Sequence, residues 1–100
     1  MKLYVDIDET ICHYEGPREY PLAVPIVRNI EQINLLFDEG HTIVYWTARG
    51  SRTGIDWTEL TQRQLKEWGA KHTELKLGKP DYDLFICDKA INTRDYFVSQ

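Results

Sequence analysis

Thr42-Ile43-Val44-Tyr45-Trp46 carries apolar side chains at consecutive positions, without polar alternation. A strand with one wet face alternates. A strand without alternation needs cover on both faces, which is the signature of a parallel sheet sandwiched by helices. The flanking sequence supplies those covers. Upstream, Ile26, Ile30, Ile33 and Phe37 recur at steps of three and four, predicting a helix over residues 24–39. Pro25 suits its first turn and Gly40 its stop. Downstream, Asp56-Trp57-Thr58-Glu59 resembles a capping box with Asp in place of Ser or Thr. Trp57, Leu60, Leu65 and Trp68 then form a helical stripe closed by Gly69. Leu3 to Ile7, Thr73 to Leu77 and Leu84 to Cys87 read as short strands, the last of them buried. The resulting β-α-β-α-β-loop-β order argues for an α/β fold.

The chain's 100 residues suit one such domain. Three prolines within Pro17–Pro25 exclude regular helix or central strand there, so residues 9–24 read as an ordered excursion. With 42% hydrophobic and 28% charged residues, the composition is that of a globular domain rather than a disordered chain or coiled coil. No apolar run approaches the roughly 20 residues of a membrane span. The early charges read against a signal peptide, so a cytoplasmic protein is expected. A net charge of −4 lacks the footprint of a nucleic-acid binder. Cys12 and Cys87 show no metal-ligand spacing and are expected to be reduced thiols.

In open α/β sheets chemistry lies beyond the carboxyl ends of the strands. That rule selects Asp6–Thr10, Thr47–Arg52, Gly78–Pro80 and Asp88–Asn92. In extended backbone Asp6 and Asp8 point to the same side. Their repulsion is relieved by a divalent cation or a shared proton. Thr47 adds a hydroxyl followed by the small Ala48, Lys79 a cation, and Asp88 a further carboxylate. Oxygen donors of this kind, beside a lysine and a hydroxyl, describe a site for Mg²⁺ and a phosphate. Arg49 and Arg52 suit phosphate or carboxylate recognition, with a solvated loop as the alternative. For His13 and Arg18 an ordered surface loop is the favoured reading. Trp57, Trp68 and Phe37 are expected in the core, and Trp46 in the core or a pocket wall. His41 and His72 are expected to be structural, and Cys12 lacks a base that would make it a nucleophile.

The set Asp6-x-Asp8-x-Thr10, strand-end Thr47, Lys79 and strand-end Asp88 resembles the haloacid dehalogenase-like (HAD) phosphohydrolases, in order and over residues 3–92. The segments Tyr45–Gly50 and Lys79–Ile91 are similar to a narrower group, small bacterial and phage proteins labelled capsular or polysaccharide biosynthesis phosphatases. The resemblance implies a three-layer Rossmannoid parallel sheet, capless, with strand order fourth-first-second-third. It implies that Asp6 attacks phosphorus and that Asp8 protonates the leaving group and then helps deprotonate water. It implies Mg²⁺ held by Asp6, the Asp8 carbonyl and Asp88, and phosphate held by Thr47, Ala48, Arg49 and Lys79. Glu9, where glycine is common, and Cys87, where a second acid is common, depart from the family pattern. Asn92 is expected to support metal waters, while Lys89 pairs with Asp88 or turns outward. The expected substrate is a small phosphomonoester, first a sugar phosphate. Alternatives are a nucleotide or nucleic-acid end phosphate, a phosphate-binding module without turnover, and a phosphotransferase. A capless site is open, leaving cover to the 9–24 excursion or to another subunit of a homo-oligomer.

Overall fold

The computed structural model describes residues 1–97. β1 (Lys2–Val5), β4 (Thr42–Trp46) and β5 (Glu74–Lys76) form a parallel sheet in the order β1-β4-β5. Lys2 pairs with Thr42 through to Val5 with Tyr45, and Val44 with Glu74 through to Trp46 with Lys76. Helix α1 (Val27–Asp38) connects β1 to β4, and α2 (Thr58–Glu67) connects β4 to β5. Ile43, Val44 and Tyr45 are completely buried, as their unalternated run requires. Val5, Ile7, Ile11, Ile30, Ile33 and Leu65 pack in the same core, with Phe37 and Trp68 at its margin.

The 9–24 excursion is a small ribbon. β2 (Cys12–His13) pairs antiparallel with β3 (Val24–Pro25), and a 3-10 turn at Tyr20–Leu22 precedes β3. The helix predicted over 24–39 therefore starts three residues late. Pro25 lies in the ribbon, where a two-stranded edge tolerates its missing N–H, and the Ile26 N–H reaches the Ile11 carbonyl at 2.8 Å. The helix stops as expected: Gly40 adopts φ +99° and His41 N–H donates to the Leu36 carbonyl. At α2, Asp56 Oδ1 accepts the Thr58 N–H at 2.9 Å, so the aspartate caps the first turn.

The expected fourth strand is not formed. Leu84 to Cys87 lie in an exposed loop, with Leu84 75% and Ile86 88% accessible. The chain entering this loop is pinned at the carboxyl edge of the sheet. Lys79 N–H donates to the Thr47 carbonyl at 3.1 Å, and Ser51 Oγ donates to the Lys79 carbonyl at 2.6 Å. From there the segment runs on as exposed loop and forms no strand beside β1. A short helix α3 (Thr93–Tyr96) follows, capped by Asn92 Oδ1 on the Arg94 N–H. Thr93 and Thr10 share a hydroxyl hydrogen bond of 2.7 Å, and Tyr96 and Phe97 rest on the core. The strand order is thus first-second-third of the expected four, with β1 at an edge.

Ile33 is 1% exposed and Leu35, on the same helix, 62%. Ile33→Ala is expected to cost about 2–5 kcal/mol by deletion of buried methylenes. Leu35→Ala is expected to stay within about 0.5 kcal/mol. Urea titrations followed by far-UV circular dichroism will compare the two midpoints.

Candidate active site

After β1 the backbone turns sharply. The N–H groups of Thr10 and Ile11 both donate to the Ile7 carbonyl, at 3.1 and 2.9 Å, and Glu9 N–H donates to the Cys12 carbonyl at 2.9 Å. Glu9 takes φ +64°, the left-handed region where glycine sits without strain. The same turn leaves Glu9 exposed and puts Asp6 and Asp8 at one cleft.

Asp8 is held by a cage. Arg49 Nε donates to its Oδ2 at 3.1 Å and a terminal guanidinium nitrogen to its Oδ1 at 2.9 Å, a two-pronged geometry. Tyr14 Oη donates to Oδ1 at 2.6 Å, and the Cys12 thiol lies 3.4 Å from the same oxygen. The remaining guanidinium nitrogen serves Gln64 Oε1 at 2.6 Å and Thr61 Oγ1 at 3.2 Å, both on α2. Tyr20 lies 4.7 Å under the guanidinium, and its carbonyl accepts from Gln64 Nε2 at 2.7 Å. The Arg49 side chain is fully buried and Asp8 only 10% exposed. Burial opposes charge on Asp8, but hydrogen bonds and charge from Arg49, with Tyr14 and Cys12, hold its carboxyl below the usual value. Burial raises the Cys12 thiol to about 12, and the nearby Asp8 charge adds to the rise, so the group stays protonated.

Asp6 has the opposite environment. Its carboxylate is 42% exposed at the cleft, Oδ1 accepts the Ile7 N–H at 2.9 Å, and Lys79 Nζ lies 3.7 Å from Oδ2. Burial of its inner side raises its pKa, and the Asp8 charge adds to that; Lys79 and the Ile7 N–H oppose it. Lys79 stands over the rings of Trp46 and Tyr82, so Trp46 walls the site. Thr47 is buried at the end of β4, and its Oγ1 accepts the Arg49 N–H at 3.1 Å. Gly50 then turns the chain at φ +84°, where an added Cβ would run into the Ile55 carbonyl.

The cleft encloses about 640 Å³ and is lined by Asp6, Asp8, Thr47, Ala48 and Arg49, together with Tyr20, Trp57 and the exposed Arg18 and Arg52. Arg52 pairs with Asp81 at 3.4 Å, and Trp57 meets Tyr20 edge to face. Trp57 is thus a cleft residue, not the core residue expected. Sequence reasoning missed Tyr14, Tyr20, Thr61 and Gln64. Thr61 and Gln64 flank the apolar stripe of α2, and buried polar residues there were the available signal. Asn92 caps α3 instead of facing a metal.

The structure brings Asp6, Asp8, Thr47, Ala48, Arg49 and Lys79 together but leaves Asp88 on the exposed 84–91 loop, outside the cleft lining. A cation would meet the Asp6 carboxylate and the Asp8 backbone carbonyl, whereas the Asp8 carboxylate already serves Arg49, Tyr14 and Cys12. Among the described residues no group of three or more His, Cys, Asp or Glu side chains could hold a metal ion. One chain thus offers a cation a single open carboxylate, that of Asp6, fewer than the resemblance implies.

No family model matches the chain, and no curated protein matches it. A crystal structure of a structural-genomics (MCSG) target from Vibrio cholerae is similar, with a TM-score of 0.84 and 26% identity, covering 95% of this chain and 85% of that one. The fold is a small α/β domain with a three-stranded parallel sheet, consistent with a Rossmann-like arrangement. No helix among the described residues is long and apolar enough to cross a membrane.

Arg49→Met removes one partner of a buried pair and is expected to cost about 3–5 kcal/mol at neutral pH. The folded Asp8 carboxyl titrates below its ordinary 3.8, so its contribution is present above 3.8 and lost as pH falls through the lower folded value. The gap between wild type and variant is therefore expected to narrow in acid. Urea unfolding of both proteins across an acid-to-neutral series reads that gap.

Proposed function

We propose that this protein is a HAD-like phosphomonoester hydrolase that works through an aspartyl-phosphate on Asp6. The observation that carries the reading is the contrast between the two aspartates. Asp6 is half-open to the cleft beside Lys79, while Asp8, two residues on, is locked to Arg49. A nucleophile needs access and a neighbouring cation to offset the incoming phosphoryl charge, and Asp6 has both.

In the first half-reaction an Asp6 oxygen bonds to phosphorus and the ester P–O bond breaks. The departing alkoxide takes a proton from water in the open cleft. In the second half a water attacks phosphorus, the Asp6–phosphorus bond breaks, and inorganic phosphate leaves with Asp6 restored. Lys79 stabilises the phosphoryl oxygens in both halves, with the Thr47 hydroxyl and the Ala48 backbone beside it. Asp8, held ionised, suits the second half as acceptor of the water's proton. It becomes an acid for the first half only by exchanging its Arg49 contact for a proton. Arg49 thus positions Asp8 more directly than it binds substrate.

Magnesium dependence belongs to this proposal, although a single chain supplies an incomplete ligand set. A sugar phosphate or similar small metabolite is the proposed substrate. The Tyr20–Trp57 pair offers aromatic edges for a sugar ring, and the exposed Arg18 and Arg52 line the same cleft. The Arg49 lock on Asp8 also favours a second reading, a phosphate-binding module without turnover.

Release of phosphate from p-nitrophenyl phosphate and a panel of sugar and nucleotide monoesters separates the two. Mg²⁺-dependent release is expected, with none from Asp6→Asn. Lys79→Met is expected to lower kcat by about 10²–10³, the loss typical of an oxyanion donor. Release that survives Asp6→Asn unchanged would overturn the hydrolase mechanism. Phosphate binding without any turnover would select the second reading.

A further inference from the structure

Two features of the molecule are complementary and do not meet. β1 is an edge of a parallel sheet, and among the described residues no strand pairs with its outer side. Its residues Lys2 and Tyr4 are exposed, Tyr4 by 48%. The loop after Lys79 holds Leu84-Phe85-Ile86-Cys87, β-prone and apolar on both alternating faces, yet exposed throughout. Both features are liabilities in isolation: an open sheet edge invites pairing, and an exposed apolar run invites burial.

The chain's own geometry opposes their meeting within one molecule. Lys79 is pinned at the carboxyl edge, beside Thr47 and Asp6. To lie parallel to β1, Leu84 must start at the opposite edge, level with Lys2. Lys79 is bonded to Thr47, five residue steps above Thr42, which pairs with Lys2, so the descent is roughly 16–17 Å, and the sideways step from β4 past β1 is about 10 Å. Together these make about 19 Å, whereas the backbone from Lys79 to Leu84 reaches roughly 17 Å when drawn taut. The tether falls short even before it reverses direction, and Pro80 stiffens the path.

We infer that residues 84–97 are exchanged between two copies of this chain, Leu84–Cys87 of each adding as a parallel strand to the outer edge of its partner's β1. In a second copy the reach constraint vanishes. The lengths match: four residues face the four of β1, pairing Lys2 with Leu84, Leu3 with Phe85, Tyr4 with Ile86 and Val5 with Cys87. That register sets Asp88 level with Asp6 of the other chain. It places Phe85 and Cys87 on the core side with Leu3 and Val5, and Leu84 and Ile86 over the exposed Tyr4. Helix α3 moves with the strand and makes in the partner the contacts it makes here, Thr93 to Thr10 and Tyr96 and Phe97 on the core. Exchange of an identical element closes as a twofold dimer, with Pro80–Asp83 as the hinge. Under the hydrolase reading, each site is then completed by the other chain's Asp88. That supplies the carboxylate whose absence left the metal set unfilled. The exchange itself does not depend on that reading.

Light scattering after size exclusion is expected to give about twice the chain mass, stable on dilution, as an exchanged dimer requires. Ile86→Asp alters a side chain that is 88% exposed in the single chain. It is expected to yield a folded monomer by circular dichroism. Leu3→Cys chains refolded with Phe85→Cys chains, both carrying Cys87→Ser, are expected to form an interchain disulfide on mild oxidation. Asp6→Asn chains refolded with Asp88→Asn chains are expected to regain phosphatase activity that neither has alone. A wild-type monomer at every concentration, or a disulfide that forms only within a doubly substituted chain, would overturn the exchange. A dimer with the interchain disulfide but without activity in any mixture keeps the exchange and counts against the hydrolase.

Discussion

The buried pair between Arg49 and Asp8 organises this molecule. Desolvating two charges is costly, and the pair repays that only with near-complete satisfaction of its hydrogen-bonding groups. Here four separate parts of the chain contribute. Asp8 comes from the turn after β1, Tyr14 and Tyr20 from the ribbon, Arg49 from the end of β4, and Thr61 and Gln64 from α2. The ribbon, the β4 loop and α2 are therefore fixed relative to one another by polar geometry, where the apolar core thins toward the carboxyl edge. The same pair divides the labour of two neighbouring aspartates. One is held by an arginine, a tyrosine and a thiol at the cleft; the other is left open beside a lysine.

Much of this was legible in the sequence. Apolar periodicity located α1 and α2, and the unalternated run located β4, because those elements owe their stability to burial, which leaves a pattern. The rule that functional residues gather at the carboxyl edge picks out Asp6, Asp8, Thr47 and Lys79, which the fold does bring together. What was not legible depended on side chains meeting across the fold. That Arg49 would meet Asp8 depends on Thr61 and Gln64, whose place beside the apolar stripe of α2 was the one local sign of it. Trp57 looked like core because the helical stripe passes through it, yet it lies at the start of α2, where the core gives way to the cleft.

The fourth strand is the instructive failure. Composition marks Leu84–Cys87 as a strand, but a strand needs an edge within reach. Local propensity cannot report the length of the tether that precedes it. Lys79 is the tether's fixed end, and its contacts with Asp6 and the Thr47 carbonyl set where the following residues begin. A contact made by one residue thus limits the topology of the next element.

The β2–β3 ribbon has a consequence of its own. Its paired part is only two residues on each side, and its far end, from Glu15 to Glu19, projects from the body of the domain. Tyr14 and Tyr20, at its base, are tied into the Asp8 cage, whereas the tip is bound to nothing in the core. Length and sequence can change between those two tyrosines without disturbing the sheet or the charged pair. In a lineage of such proteins this is where an insertion would be tolerated first, and it would rise directly over the cleft. The scaffold thereby carries a ready position for acquiring selectivity by growth.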